Sequence, residues 1–341
     1  MRLRVFSSPR FADHLTPPGH PERLDRAAVM QAVTADLRAS GADVVEPRRA
    51  TDDELLRVHD RGYLDLLRET AGRAVALDPD TFTSPETYEV ARLAAGAAAG
   101  AVDYLLDAGR GARALVLARP PGHHAERARA MGFCLFNSAA VAAAHARARG
   151  LTRVAVVDYD VHHGNGTQAA FYEDPSVLFL SSHQYPYYPG TGAAGEIGSG
   201  PGRGFTVNLP LEAGCTDADY ERVYAEVALP VLRQFAPELI VISAGFDAHA
   251  DDPLGGMRLS SGQFVRLTEG IAAVADASND GRVVALVEGG YDLKALAECA
   301  RAVGQTLGGD GPEVPPPTGD ASRGAAGAAA VVPGLREYWR L

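Results

Sequence analysis

The sequence predicts an α/β fold: a single domain on a mainly parallel central sheet of about eight strands, with helices on both faces. Three observations carry that expectation. Short apolar runs alternate with longer helical stretches through most of the chain, the signature of strands joined by helical crossovers. The run Val154-Ala155-Val156-Val157 is apolar at every position, which fits a strand buried on both faces, as in a parallel sheet. Four such runs end in unusual polar groups: His123-His124, Asp158 through His163, Asp247, and Glu288 through Tyr291. If the strands are parallel, all four clusters meet on one rim, where open α/β sheets bind their ligands.

Residues 1–8 read as the opening strand, and Gly19-His20-Pro21-Glu22-Arg23 starts a helix with Pro21 near its first turn. A short strand lies near Val44-Val45. Thr51 with Glu54 makes a capping box ahead of a helix running to about Glu69. A plain loop follows, and Ser84-Pro85 caps a long Ala-rich helix to about Asp107. Ala114–Leu117 is a strand and Asn137–Arg149 a helix. Val154–Val157 and Val177–Leu180 are strands, the second ending in Ser181-Ser182-His183. A strand at Phe205–Leu211 precedes a helix over Asp217–Phe235. Leu239–Ser243 is a strand, Ser260 to about Ala277 a helix, and Val283–Val287 a strand. The last helix runs to about Leu307. Residues 1–307 thus form one folded domain, which carries all four polar clusters. Residues 308–341 form a Gly/Ala/Pro-rich tail that reads as a tether, with Tyr338 and Trp339 docking back on the body.

Composition narrows the function. A net charge of −11 and no Lys/Arg run leave no nucleic-acid groove. Cys134, Cys215 and Cys299 are scattered, forming neither a disulfide framework nor a CxxC metal site. No stretch has membrane-spanning length and no signal-peptide core is present, so no membrane partner is expected and a cytoplasmic setting is the default. An oligomer is compatible with this composition.

The polar clusters suggest metal-assisted hydrolysis. Asp158, Asp160 and His162 are spaced by two, so an extended backbone points all three to one side. Asp160, His162 and Asp247 supply three ligands to one ion, zinc or another divalent transition ion, and leave a position open. His123 and His124 are candidates for general base and acid, with Asp158 and Asn165 as nearby groups to set tautomer and basicity. Tyr291 follows two glycines that let the loop approach the ion, and its hydroxyl can donate to a developing oxyanion.

These strings resemble the histone deacetylase superfamily, which includes acetylpolyamine amidohydrolases and acetoin-utilisation proteins. The carrying motifs are GHPERL at 19–24, RPPGHHAE at 119–126, MGFCLFN at 131–137, VDYDVHHGNGTQ at 157–168, YYPGTG at 187–192, SAGFDAHADDPLG at 243–255 and EGGYDL at 288–293. The resemblance spans about residues 15 to 307 and is nearest the class II and bacterial branch, implying the arginase/deacetylase-like architecture. It implies a zinc-dependent deacetylase with Asp160, His162 and Asp247 on the zinc. It makes His124 the base and then acid, leaning on Asn165, and His123 an electrostatic partner backed by Asp158. Tyr291 polarises the acyl carbonyl. Phe133 and Tyr188, with Gly132 beside them, wall the acyl-lysine tunnel, and Arg23 lies behind the acetate pocket. A structural potassium ion is implied at Asp158, Asp160, His162, Ser181 and Ser182, and a second around Phe171, Asp174, Val177 and Phe205.

Leu254 bears on substrate. Polyamine-selective class II relatives carry an acid seven residues after the last zinc ligand, and leucine there favours acetylated protein lysine over an acetylated polyamine. Two further alternatives remain. Asp247-Ala248-His249-Ala250-Asp251 matches the DAHxD string of binuclear manganese hydrolases of the arginase type, and an inactive acyl-lysine binding module is the non-enzymatic reading.

Overall fold

A computed structural model describes residues 1–341, and every strand pairing in it is parallel. The strands are β1 (Arg2–Ser7), β2 (Asp43–Val45), β3 (Ala112–Leu117), β4 (Val154–Asp158), β5 (Val177–Gln184), β6 (Thr206–Leu211), β7 (Leu239–Ala244) and β8 (Val283–Val287). They form one 8-stranded sheet in the order β2-β1-β3-β8-β7-β4-β5-β6. The helices are α1 (Asp25–Ala39), α2 (Asp52–Leu55), α3 (Arg61–Glu69), α4 (Thr87–Ala108), α5 (Ser138–Ala148), α6 (Asn165–Phe171), α7 (Asp217–Val223), α8 (Leu229–Phe235), α9 (Ser261–Ser278), α10 (Leu293–Gly308) and α11 (Ser322–Leu335). None is long and apolar enough to cross a membrane.

The period-two geometry of strands divides the core in two. Ala155, Val157, Ile240 and Ile242 face one layer, with α1, α9 and α10, while Val154, Val156, Leu239 and Val241 face the other, with α4 and α5. Continuous apolar strands are therefore required, because neither face meets water.

Several expected boundaries move where tertiary contacts override local signals. The first helix starts at Asp25, not near Pro21: Arg119 draws the Glu22 carboxylate into the interior, which holds residues 17–23 in turns. The Thr51–Glu54 capping box is present, but the helix breaks before Arg61. There His59 turns inward to Glu126 O, and Asp60 N donates to Arg127 O at 2.9 Å. The Ala-rich helix begins at Thr87 rather than directly after Pro85. Strand β5 continues through Ser181-Ser182-His183 to Gln184, because β6 pairs with it along that stretch. The rod over 217–235 contains a π-helical turn, Tyr224–Ala228, just before Pro230, whose missing N–H cannot continue an α-helical ladder.

The tail departs furthest from its expected form. Ser322–Leu335 is a helix lying on α7 and β6, with Gly324 N donating to Asp219 Oδ1 at 2.8 Å. Its small residues serve close packing rather than flexibility. Trp339 is buried against Phe205 and Phe235, and its indole N–H donates to Gly204 O at 2.8 Å.

Candidate active site

Four strands adjacent in the sheet, β3, β8, β7 and β4, deliver the polar clusters to one rim. Their register brings the strand ends level: Asp158 pairs with Ser243, and Ala244 with Val287. Beyond β4 the chain does not stay extended. Asp158 Oδ1 accepts from Asp160 N at 3.1 Å and Asp160 Oδ1 from His162 N at 2.9 Å, so each carboxylate curls the backbone two residues on. Alternation nevertheless survives, since Tyr159 and Val161 are buried in the apolar core between the polar residues.

Asp160, His162 and Asp247 offer ligand atoms that all lie within 4.8 Å of one another. His162 Nδ1 sits 3.1 Å from Asp160 Oδ1 and 3.2 Å from Asp247 Oδ2. Asp247 Oδ1 accepts from Val161 N at 2.8 Å, tying the β7 loop to the β4 loop. Gly289 closes the cradle from β8. Its N–H donates to Asp160 Oδ2 at 2.8 Å, and a Cβ there would fall 2.0 Å from Asp247 Oδ2. Only glycine fits.

Electrostatics also fit a cation. Burial and then repulsion from Asp160 push the Asp247 carboxyl up to about 7. Burial opposes ionisation of Asp160, but His123 and His162 hold it well below the usual carboxylate range. Burial disfavours a charged His162, yet Asp160 and Asp247 raise it to about 10. Two buried carboxylates thus gather positive charge between them, and a divalent ion meets that demand better than a proton.

The two histidines stand with ring centroids 4.0 Å apart and have different partners. His123 Nδ1 lies 3.0 Å from Asp158 Oδ2. His124 Nδ1 lies 2.8 Å from Asn165 Oδ1, at the start of α6. Burial lowers both basicities. Asp160 and Asp158 outweigh it at His123 and raise that ring to about 10, whereas nearby positive His123 and His162 push His124 further down.

Tyr291 follows the Gly289-Gly290 turn and is 8% exposed. Its N–H donates to Asp252 Oδ2 at 2.6 Å, and burial raises its hydroxyl pKa well above normal. Phe133 faces the Tyr291 ring edge-on at 5.8 Å. Phe133 has φ 68, an uncommon conformation for a bulky residue and one found at functional sites. Gly132 before it backs onto His124: a Cβ there would meet the ring Cδ2 at 2.4 Å. Tyr188 stands edge-on to His124 at 5.2 Å. An open cleft of about 700 Å³, lined by Leu15, His20, Arg23, Leu254 and Tyr291 among others, adjoins these walls.

Arg23 is not behind the pocket. Its side chain is 52% exposed and pairs with Asp25. The buried guanidinium is Arg26, which donates to Gly290 O at 2.8 Å and Glu288 O at 2.5 Å and lies 5.0 Å from the Tyr291 ring centre. The helix that starts at Asp25 turns Arg26 inward, onto Glu22. The residues expected around potassium are close together: Asp158 and Ser181 are register partners, and Ser182 Oγ lies 3.0 Å from Tyr224 OH. In the second proposed potassium region, Asp174 Oδ1 already accepts from Ser176 N at 2.9 Å, and Phe205 O from Phe179 N at 2.9 Å.

Sequence reasoning missed several supports. Glu288 accepts from Gly122 N at 2.6 Å and His123 N at 3.2 Å, fixing the histidine loop. Tyr187 stacks on His162 at 5.5 Å. The buried Glu22–Arg119–Arg26 cluster and the contact of His59 with Asn137 N at 3.0 Å had no local signal beyond charged or polar residues beside apolar runs.

The family model described as "Histone deacetylase domain" matches residues 19–307. The chain is 42% identical over 305 residues to "Histone deacetylase-like amidohydrolase" of Pseudomonas aeruginosa, covering 88% of this chain and 78% of that protein. It is 41% identical over 309 residues to human "Polyamine deacetylase HDAC10", covering 84% of this chain and 45% of that one. It is 40% identical to "Histone deacetylase 15" of Arabidopsis thaliana over 86% of this chain, and spans about half, 54%, of that relative's length. The crystal structure of the HDA15 HD domain superposes with a TM-score of 0.89 at 35% identity, covering 99% of this chain and 95% of that one. With its parallel sheet, ligand triad and histidine pair, this chain belongs to the histone deacetylase family of hydrolytic deacetylases.

Proposed function

We propose that this chain is a zinc-dependent deacetylase that hydrolyses the acetyl or short-acyl amide of an amine, chiefly N-ε-acetyl-lysine in proteins. The observation that carries this is the meeting of the Asp160–His162–Asp247 triad with the paired histidines on one rim. Two carboxylates and one imidazole suit zinc, and potassium is proposed at the Asp158–Ser182 cluster. When bound, the zinc supplies Lewis acidity, polarising the acyl carbonyl and making water more acidic.

The protein supplies the rest. His124, held neutral by burial and by positive His123 beside it, accepts a proton from the attacking water at Nε2. Its Nδ1–H is directed to Asn165 Oδ1, leaving Nε2 free. As the carbon–nitrogen bond breaks, His124 returns the proton to the leaving amine. His123, kept positive by Asp158 and Asp160, favours the negative charge that grows on the acyl oxygen. Tyr291 donates its hydroxyl to that oxygen, and its high pKa keeps the proton available. Phe133 and Tyr188 flank the aliphatic lysine stem and Gly132 leaves room for His124 beside it. The unpaired buried cysteines suit a reducing, cytoplasmic setting.

Leu254 places an apolar side chain in the cleft with Tyr291, so this position offers no carboxylate to a second substrate ammonium, and the acid that also lines the cleft, Asp25, is paired with Arg23. The polyamine alternative draws support from the HDAC10 relative. The decisive experiment compares kcat/KM for acetyl-lysine peptide, acetylated spermidine and acetylated putrescine, in wild type and Leu254→Glu. Peptide preference that shifts toward polyamine in the variant supports the lysine reading. Wild-type preference for polyamine overturns it. The arginase-type reading meets an obstacle in Asp251, which is 71% exposed, and His249, which bonds Ser261 Oγ at 3.2 Å. Two manganese ions per chain in metal analysis would revive it.

A further inference from the structure

We propose that Glu126 is a positioning residue for the general base: its carboxylate holds the Asn165 amide so that the carbonyl oxygen, rather than the NH2 group, faces His124. The proposal rests on the deacetylase reading for its kinetic consequence, but not for its structural one.

The chemistry begins with an ambiguity. A side-chain amide presents an acceptor at one end and a donor at the other, and a half-turn about its last bond exchanges them. A carboxylate beside histidine has no such choice, since both oxygens accept. Asn165 therefore cannot by itself specify which nitrogen of His124 carries the proton. If its NH2 faced Nδ1, that nitrogen would have to be the bare one and Nε2 would hold the proton. A base protonated at the nitrogen that must accept is no base.

Glu126 removes the ambiguity. Asn165 Nδ2 lies 2.8 Å from Glu126 Oε1, while Asn165 Oδ1 lies 2.8 Å from His124 Nδ1. Turning the amide over would set two oxygen acceptors against each other on the Glu126 side, one of them charged. Asn165 is buried and Glu126 half-buried, so water offers the amide itself little relief. Its remaining Nδ2 contacts are weak ones, a long bond to His124 O at 3.5 Å and the poorly accepting thioether of Met131 at 3.5 Å, which do not fix the amide alone. The line His124–Asn165–Glu126 thus returns a carboxylate to the base at one remove. The amide transmits orientation without placing a full negative charge against the ring.

The Glu126 backbone is anchored independently, which makes the side chain testable. Its N–H donates to Arg129 O at 2.9 Å and its carbonyl accepts from His59 Nδ1 at 2.9 Å, so a side-chain change leaves both contacts in place.

The test is a double-mutant cycle on the full-length, metal-loaded chain, read by kcat and KM on acetyl-lysine peptide. It is paired with nitrogen NMR of His124 to identify the protonated ring atom. Glu126→Leu should lower kcat about tenfold to a hundredfold with little change in KM, and bring up the Nε2–H tautomer. Glu126→Gln, which still offers an acceptor, should keep most of the activity. Glu126→Lys, which offers a donor, should do worse than leucine, and it substitutes for the leucine variant should that one fail to fold. In an Asn165→Asp background, Glu126→Leu should cost nothing or raise kcat, because aspartate needs no orienting and glutamate only repels it.

Equal losses in both backgrounds, or an unchanged Nδ1–H tautomer in Glu126→Leu, would overturn the proposal. If wild type releases no acetate from any acylated amine, the deacetylase reading fails instead, and the tautomer of His124 alone judges Glu126.

Discussion

His123 and His124 are chain neighbours with rings 4.0 Å apart, yet the protein gives them opposite electrostatic settings. His123 faces the Asp158 carboxylate and is raised to about 10, so it stays positive. His124 faces a neutral amide, has positive neighbours and is pushed well below its ordinary value, so it stays a free base. Both rings are fully desolvated, so burial does not explain the difference. The charges around them do: the Asp160 and Asp158 carboxylates favour the imidazolium at His123, whereas positive His123 disfavours a second one at His124, whose amide partner fixes only a tautomer.

The largest expected effect comes from removing the neutral member. His124→Ala should reduce kcat by about 10²–10⁴ while bound zinc, measured by metal analysis, remains at one per chain. Unchanged turnover would assign the base elsewhere. A smaller effect should follow from making the two sides alike. Asn165→Asp gives His124 its own carboxylate, which raises its pKa. More of the base is then protonated at any given pH, so the acid limb of kcat/KM against pH should move upward and neutral-pH activity fall. An acid limb that stays put would mean Asn165 is not the partner that sets His124.

The smallest effect on turnover, and a useful control, lies beneath both dyads. His59 bonds Glu126 O on one side and Asn137 N on the other, and Asn137 Nδ2 reaches His123 O at 3.4 Å. Burial pushes His59 down to about 4, against an ordinary 6.5. The folded state therefore prefers it neutral. That contribution is complete above pH about 6.5 and is lost as pH falls through about 4, amounting to about 3 kcal/mol. Denaturant midpoints followed from pH 7 to pH 4 should fall less steeply in His59→Gln. Identical slopes would remove His59 from the acid response.

Much of this was legible because parallel-sheet physics writes itself locally. A strand covered on both faces must be apolar throughout, and polar residues at its end then stand out. Asp160, His162, Asp247 and the histidine pair were visible for that reason. Arg23 and Arg26 show where legibility stops. Both follow Pro21 in one short string, and which guanidinium turns inward depends on where the helix begins. Glu22 decides that by reaching Arg119, 97 residues away. The tail teaches the same lesson: Gly and Ala suit a loose tether and a closely packed helix equally well, and packing on α7 and β6 selects the helix.

The sequence by itself determined the strand cores, the residue types at their tips and the chemistry those types can perform, because period, polarity and ligand identity are properties of neighbouring residues. Only the tertiary structure decided that β3, β8, β7 and β4 lie side by side, which carboxylate or amide each histidine meets, and which arginine is buried. Those outcomes depend on contacts between residues far apart in the chain, whose energies exceed the local preferences that a sequence displays.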